Sequence, residues 1–533
     1  MTINRRQFVQ SSFFVGAGMM IDPFKNIFNR KASSLFGVHP FILQNPEAVF
    51  VMRTDIDLKT NSSAIKAAGL DFGRSVFNLT DDLENGIPLT HKVVIKPNLT
   101  CRMRSHSKYT ITRSMGIVTD ANFVEGIIES LKELGIASGQ FYIREVNCPD
   151  DLADGGYIDM AERTGIDLQG IDTPVSELSA DKIQWVDVPD GVWFKKIPFL
   201  WPVNAPDTWL LNIAKFKTHG MGLTLCAKNL QGTIAMNYQA HCTYYGETMY
   251  GVNANHMSPT ANADILSNYN RHVQNGIPRW DRPGDTGGLW QETWATRCLD
   301  NNSVTFAGLH IIEGIYGRDG NFMDGPSSEG LATDYMTNYI IFGRNPFHVD
   351  IIGHYLGGHE PGNFGLFHLA KERGMASTIN PIEIPVFEWE VENGAKSADL
   401  NSFQRYPLKT YYLQRDYSGQ NEPYWHMVDE PYNYSATLIN DISANPDNFY
   451  MQPAFPNPVQ NTATISFHIP GNGRVSFEIL NDRGQVIDIP FSRQLDGGDH
   501  TILWNSNKYP SGLYINRIHF NGFTRIQKIM VVH

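Results

Sequence analysis

The run Trp209-Leu210-Leu211-Asn212-Ile213-Ala214 most narrows what this chain can become. An apolar run this short can be a buried strand. Strand and helix alternate around it in repeated β-α-β units, which imply a mainly parallel sheet covered by helices on both faces. The chain then turns polar at Lys215, Lys217, Thr218 and His219 and loosens at Gly220 and Gly222. Leu223, Cys226, Ala227 and Leu230 follow at helical spacing, with Gly232 as a helix stop. The stretch reads as strand, glycine-rich basic loop, helix. Ligands of open α/β sheets bind beyond the carboxyl ends of strands, and a helix N-terminus favours an anion. Lys217, His219 and Lys228 are therefore expected to face one small region.

The same alternation of strand and helix runs through the neighbouring sequence. Ala48 to Met52 reads as a strand, Ile65 to Leu79 as a helix, and Lys92 to Lys96 as a strand ending in Pro97-Asn98-Leu99. Asp120 is a good N-cap for a helix through Leu134, whose inward positions are Phe123, Ile127, Leu131 and Leu134. Phe141 to Val146, Val304 to Ile312 and Tyr339 to Phe342 are further strands, and Phe347 to Leu356 a helix. The stretch 241–298 has no clear period and reads as an irregular insertion of the binding-loop or lid type. From about Tyr450 the pattern changes to short alternating strands, such as Ala463 to Ile469 and Arg474 to Leu480, between Pro, Gly and Asn-Asp turns. That pattern predicts an immunoglobulin-like β-sandwich. The expected organisation is a leader over 1–36, an α/β domain over 37–394, an extension and linker over 395–447 and a sandwich over 448–533.

Polar residues cluster where predicted strands end. Lys96, Asn98, Glu145, Asn147, Lys215 to His219, Glu313 and Asp319 all fall there, and a parallel sheet gathers such ends along one edge. Lys217 or Lys228 would neutralise an anion, and His219 or Glu145 would act as acid or base. Lys96, Asn98, Lys215, Lys228, Asn229, Gly232 and Asp350 complete the expected binding set. Asp350 falls within a helix, where it can also hydrogen-bond an adjacent loop. His219 is the first candidate for any metal, and His241, Cys242, His256, His272, His354 and His359 are further ligand types without a metal-motif spacing. A metal or a phosphorylated cofactor is open on this reading. An iron–sulfur cluster is not expected, since no two of the five cysteines form a CxxC. No disulfide pair is indicated. P-loop, GxGxxG and GxSxG patterns are absent. A formal charge of −12 argues against a general nucleic-acid binder.

Three segments resemble known families. Arg5-Arg6-Gln7-Phe8-Val9, ahead of a short apolar stretch, resembles a twin-arginine export signal, with Asn4 where Ser or Thr is usual. Phe455-Pro456-Asn457-Pro458, Gly484-Gln485-Val486, Ser511-Gly512-Leu513-Tyr514 and Lys528 to Val532 resemble the C-terminal sorting domain of the type IX secretion system. The central region, about 45–390, resembles the family called domain of unknown function 362. Its motifs here are Val94 to Leu99, Thr119-Asp120, Lys215-Phe216-Lys217-Thr218-His219, Lys228-Asn229-Leu230-Gln231-Gly232 and Gly343 to Asp350. Some members of that family carry added ferredoxin motifs, whose cysteines this chain lacks. The Lys-Thr-His and Lys-Asn-x-x-Gly region also resembles the nickel-pincer lactate racemases. These resemblances imply passage through the twin-arginine and type IX machineries to the cell surface or the medium. Two function classes follow: an exported enzyme moving a proton on an anionic small molecule or phosphorylated cofactor, or a surface protein that captures a ligand without turnover.

Overall fold

A computed structural model of the chain describes residues 34–99, 115–145, 149–170, 179–219, 221–223, 225–235, 245, 257–281, 287–320, 332–410, 431–434, 449–481, 486–520 and 523–533. The twin-arginine-like segment, Cys101, Asn147, Cys148, His241, Cys242 and His256 lie outside the described residues.

The α/β region is built on one eleven-stranded sheet. Its strands are β1 (Val49–Arg53), β2 (Lys92–Pro97), β3 (Phe141–Glu145), β4 (Asp167–Gly170), β5 (Thr208–His219), β6 (Gly222–Leu223), β7 (Leu309–Arg318), β8 (Asp334–Tyr335), β9 (Tyr339–Gly343), β10 (Val386–Glu390) and β11 (Gly394–Ser397). Their spatial order is β11-β10-β1-β9-β7-β5-β2-β3-β4, with β6 folded back on β5 and β8 on β7. The half from β7 to β4 is parallel throughout. β9 and β11 run against their neighbours, so the sheet as a whole is mixed.

The helices used below are α1 (Ser62–Val76), α2 (Ala121–Glu133), α3 (Tyr157–Thr164), α4 (Cys226–Asn229), α5 (Ala261–Gln274), α6 (Gly288–Asn302), α7 (Pro346–Leu356) and α8 (Gly365–Glu372). Alternation along β5 explains why both faces need cover. Leu211 and Ile213 join the core that holds Phe72 of α1 and Ile127 of α2. Ala214 and Phe216 join the opposite core, with Trp294 of α6, Ile352 of α7 and Phe367 of α8. Asp120 caps α2 by accepting from the Asn122 N–H, as its position before the apolar period predicts.

Three expectations need correction. The first long helix covers Ser62–Val76 and passes into a strand at Phe77, instead of running from Ile65 to Leu79. The stretch 241–298 is not wholly irregular, since α5 and most of α6 fall within it. α6 was invisible to periodicity because it is buried nearly all round, with Gln291, Glu292, Arg297, Asp300 and Asn301 inside. A helix with polar residues on its buried sides has no apolar stripe to detect. The third correction concerns β5: the supposed basic loop Lys215–His219 is the second half of that strand.

The C-terminal region forms two antiparallel sheets. Tyr450–Met451, Thr462–Ile469 and Gly498–Asn505 make one, and Gly473–Leu480, Val486–Leu495, Gly512–Phe520 and Phe523–Val531 the other. Ile465, Phe467, Phe477, Ile479, Trp504, Ile518 and Ile529 meet between them, as alternating inward positions require.

Candidate functional site

β5 is longer than its neighbours at the carboxyl end. Ile213 is the last residue paired with β2, opposite Pro97, while β5 continues to His219. The ends of β2, β3, β5 and β7 therefore form a stepped edge, and two buried polar networks occupy it.

The first network centres on Lys96. Its ammonium lies 2.5 Å from the Glu145 carboxylate, with side-chain exposures of 1% and 5%. It also donates to the Pro97 carbonyl at 2.6 Å and to Asn229 Oδ1 at 3.0 Å. Glu145 accepts in addition from the Leu99 N–H at 3.1 Å. Asn229, at the end of α4, ties that helix to both strands. Its Nδ2 donates to the Lys96 carbonyl at 3.1 Å and to Asn212 Oδ1 at 2.8 Å, and its Oδ1 accepts from Asn98 Nδ2 at 3.2 Å. Asn212 in turn donates to the Cys226 carbonyl at 2.8 Å and meets His310 Nδ1 at 3.0 Å. Burial holds His310 neutral, with its pKa pulled down to about 3. Burial also raises Glu145 to about 7 against the opposing pull of Lys96, and it lowers Lys96 despite Glu145. Burial thus works against both charges of the pair, and each partner opposes that effect on the other.

Gly232 closes over this pair. It belongs to a 3-10 turn, Leu230–Thr233, and not to a helix stop as expected. A Cβ there would fall 1.9 Å from Glu145 Oε1 and 2.5 Å from Lys96 Cε. Close approach, not helix termination, is what demands glycine.

The second network lies on the other face of β5. Lys215 and Glu313 stand opposite each other in register on β5 and β7. They bond at 2.7 and 3.0 Å, and both are fully buried. The Lys215 ammonium also lies 3.4 Å from the centre of the Tyr316 ring, a close cation–π contact. Tyr316 donates to Asp120 Oδ2 at 3.0 Å, and the Asp120 N–H donates to Glu313 at 3.2 Å. Burial raises Glu313 even beside Lys215. Tyr157 of α3 lies close enough to feel Asp120, Glu313 and Glu145, so the two networks adjoin.

Beyond the networks, β5 turns back through Gly222 (φ 95°), a left-handed position that favours glycine. His219 Nδ1 accepts from the Met221 N–H at 3.1 Å, which leaves the ring hydrogen on Nε2. The Thr410 hydroxyl donates to the His219 carbonyl at 2.6 Å. Burial, then the charges of Lys228 and Lys217, drive the His219 pKa well below its ordinary value. The imidazole is therefore neutral, and the charges of both lysines reach it. Lys228 is half-buried and no carboxylate lies within salt-bridge distance of it among the described residues. Its charge is nonetheless felt at Lys96, Glu145, His219 and Cys298.

Asp350 stands apart from this edge. Its two oxygens accept from the Cys226 and Ala227 N–H groups at 2.7 and 2.8 Å, fixing the start of α4, and burial raises its pKa to about 7. It positions Lys228 and Asn229 through the helix. The His354 and His359 rings lie 6.1 Å apart, centre to centre, beside a small cavity at the hairpin lined also by Gly222, Phe364 and Thr410. Their Nε2 atoms meet the Leu223 and Leu408 carbonyls. Among the described residues no group of three His, Cys, Asp or Glu side chains could hold a metal ion. Cys226 and Cys298 are free thiols. Sequence reasoning missed Asn212, Tyr157, Tyr316 and His310. The one local clue was an asparagine in the middle of an apolar strand.

Residues 93–354 match the family described as Domain of unknown function (DUF362), and residues 453–532 match the Secretion system C-terminal sorting domain. The central region is a member of the first family and the C-terminal region of the second. The sorting domain marks the protein for export through the type IX system to the cell surface or beyond. No curated protein is significantly similar to the chain. Among solved structures, PorZ, a surface component of the type-IX secretion system of Porphyromonas gingivalis, is 18% identical over 17% of this chain and 12% of that one, with a TM-score of 0.13. The endo-beta-1,4-mannanase of Thermotoga petrophila is 11% identical over 92% of this chain and 99% of that one, with a TM-score of 0.14. Scores this low carry no structural argument.

Proposed function

We propose that this type IX-exported protein is an enzyme that binds an anionic small molecule, or a phosphorylated cofactor, at the stepped edge of its sheet and moves a proton there. The observation that supports it most is the Lys96–Glu145 pair, buried at strand ends with the carboxyl raised to about 7. A carboxyl titrating near neutrality can both take and return a proton, as isomerisation or racemisation requires. Neutral His219, with Lys217, forms the other acid–base set, and Lys228 supplies a positive charge that, among the described residues, is not spent on a carboxylate. Lys96, Asn98, Asn229 and Gly232 shape the floor, Lys215 braces it from the opposite face, and Asp350 anchors α4 above it. The twin-arginine route and domain boundaries near 36, 394 and 448 belong to the same proposal.

The test uses the full chain purified from its producing cells. Small molecules released on unfolding are identified by mass spectrometry and returned to the protein in D2O. Enzyme action predicts deuterium at a carbon of the anion, lost in Glu145→Gln or in the pair Lys217→Ala/His219→Ala. Tight binding without deuterium uptake would instead indicate capture without turnover. No anion bound, with Lys228→Ala indistinguishable from wild type, would refute the site.

A further inference from the structure

The α6 wall of this region carries chemistry of its own. Gln291, Trp294, Cys298 and Asn302 stand at i, i+3, i+7 and i+11, one face of the helix. That face looks onto α4 and the Leu230–Thr233 turn. Asn302 donates to the Ala227 carbonyl at 2.9 Å, Asn301 donates to the Leu230 carbonyl at 3.2 Å, and the Gln231 amide lies beside the Cys298 thiol. Trp294 reaches the hairpin: its ring lies 6.1 Å from Phe364, whose own ring abuts Gly222.

Gln231, Gln291 and Trp294 are 2%, 0% and 1% exposed. Among the described residues, neither side-chain atom of Gln291 nor the Trp294 indole nitrogen has a hydrogen-bond partner, and the Gln231 amide has only a weak contact with the Cys298 thiol. Native cores rarely leave such groups unpaired, because their desolvation is then uncompensated. Two amides offer both donors and acceptors, and the indole offers a donor. Hydroxyl groups, which donate and accept, match all three. A hydrocarbon chain would match none.

Resting on the anion-site reading above, we propose that the ligand is an anionic polyol. Its carboxylate or phosphate meets Lys228, and its hydroxyl groups meet Gln231, Gln291 and Trp294.

The experiment titrates the full-length protein calorimetrically with gluconate, glucose 6-phosphate, sorbitol and hexanoate. At least one of the two polyol anions should bind about tenfold or more tightly than either sorbitol or hexanoate, and which one binds distinguishes carboxylate from phosphate. Gln231→Leu and Gln291→Leu should each weaken that binding about tenfold. Both should raise the thermal midpoint of the ligand-free protein, because each removes a buried amide that lacks full hydrogen bonding. A merely structural glutamine would lower it. Hexanoate binding as tightly as gluconate, or glutamine variants silent in binding, would overturn the polyol inference and leave the anion site standing. Failure of every anion to bind, or binding indifferent to Lys228→Ala, would overturn both.

Discussion

Glu145→Gln tests the buried pair most directly, because it keeps the shape of the side chain and removes only its charge. The Lys96 ammonium would keep the Pro97 carbonyl at 2.6 Å and Asn229 Oδ1 at 3.0 Å, but no counter-charge. Removing one partner of a buried pair typically costs about 3–5 kcal/mol, since the other charge is left uncompensated. Two features favour the low end. The new amide oxygen can still accept from Lys96 and from the Leu99 N–H, and Lys96 can lose its proton, as burial already encourages. We therefore expect a loss of about 3 kcal/mol near neutral pH. The loss should shrink in alkaline solution, where neutral Lys96 needs no counter-charge.

The companion variant Lys96→Met/Glu145→Gln removes both charges and should lie within about 1 kcal/mol of wild type, as replaced buried pairs often do. Urea unfolding of the full chain, followed by tryptophan fluorescence, provides the measurement. Of the ten tryptophans Trp504 alone falls within residues 449–533, so the signal reports mainly on the α/β region. A loss under about 1 kcal/mol for Glu145→Gln, or a double variant no more stable than the single one, would refute the pairing argument.

Three further outcomes follow from other parts of the molecule. Gly232→Ala places a methyl 1.9 Å from Glu145 Oε1 and should cost about 1–3 kcal/mol in the same unfolding assay; an unchanged midpoint would mean the turn has slack. His272 lies between Glu292, 2.7 Å from Nδ1, and Glu372, 2.9 Å from Nε2. Burial pulls its pKa down, but the bonds to the two carboxylates outweigh this and raise it above 6.5. A raised histidine stabilises in full below about pH 6.5 and loses that contribution as pH climbs through the folded value. His272→Gln should therefore lower the thermal midpoint more at about pH 5.5 than at about pH 9, and an equal drop would refute the imidazolium bridge. Deletion of residues 450–533 should trap the protein in the periplasm, as fractionation and surface labelling would read; normal display would refute the role of the sorting domain.

Local signals were legible where a residue acts on its own backbone neighbourhood. Asp120 caps α2 through a bond to the N–H two residues on, so its place before the apolar period located that helix start. The sandwich was equally plain, because alternation along a strand already states which side faces a core. β5 shows where local reading stops. Lys215 looks like the exposed end of a strand, and a lysine there is ordinarily solvated. It is buried because Glu313, 98 residues later, lies across from it on the next strand. Only the order of strands in the sheet supplies that partner, and no window of sequence contains it.

The cations of the candidate site differ in how each charge is supported. Lys96 and Lys215 sit inside the sheet, where an unpaired charge would be prohibitive, and each has a carboxylate on the adjoining strand. Lys228 sits on a short helix above the sheet and is only half-buried, so water can support its charge without a carboxylate. The elements holding it are nonetheless rigid. Asp350 fixes the first turn of α4, Asn229 bonds to β2 and β5 at its end, and Asn302 grips the carbonyl of Ala227 from α6. On the proposed function, a positive charge placed this firmly, beside the buried Glu145 carboxyl, is the group that meets the anion. The paired lysines build the edge, and the proposal gives Lys228 the ligand.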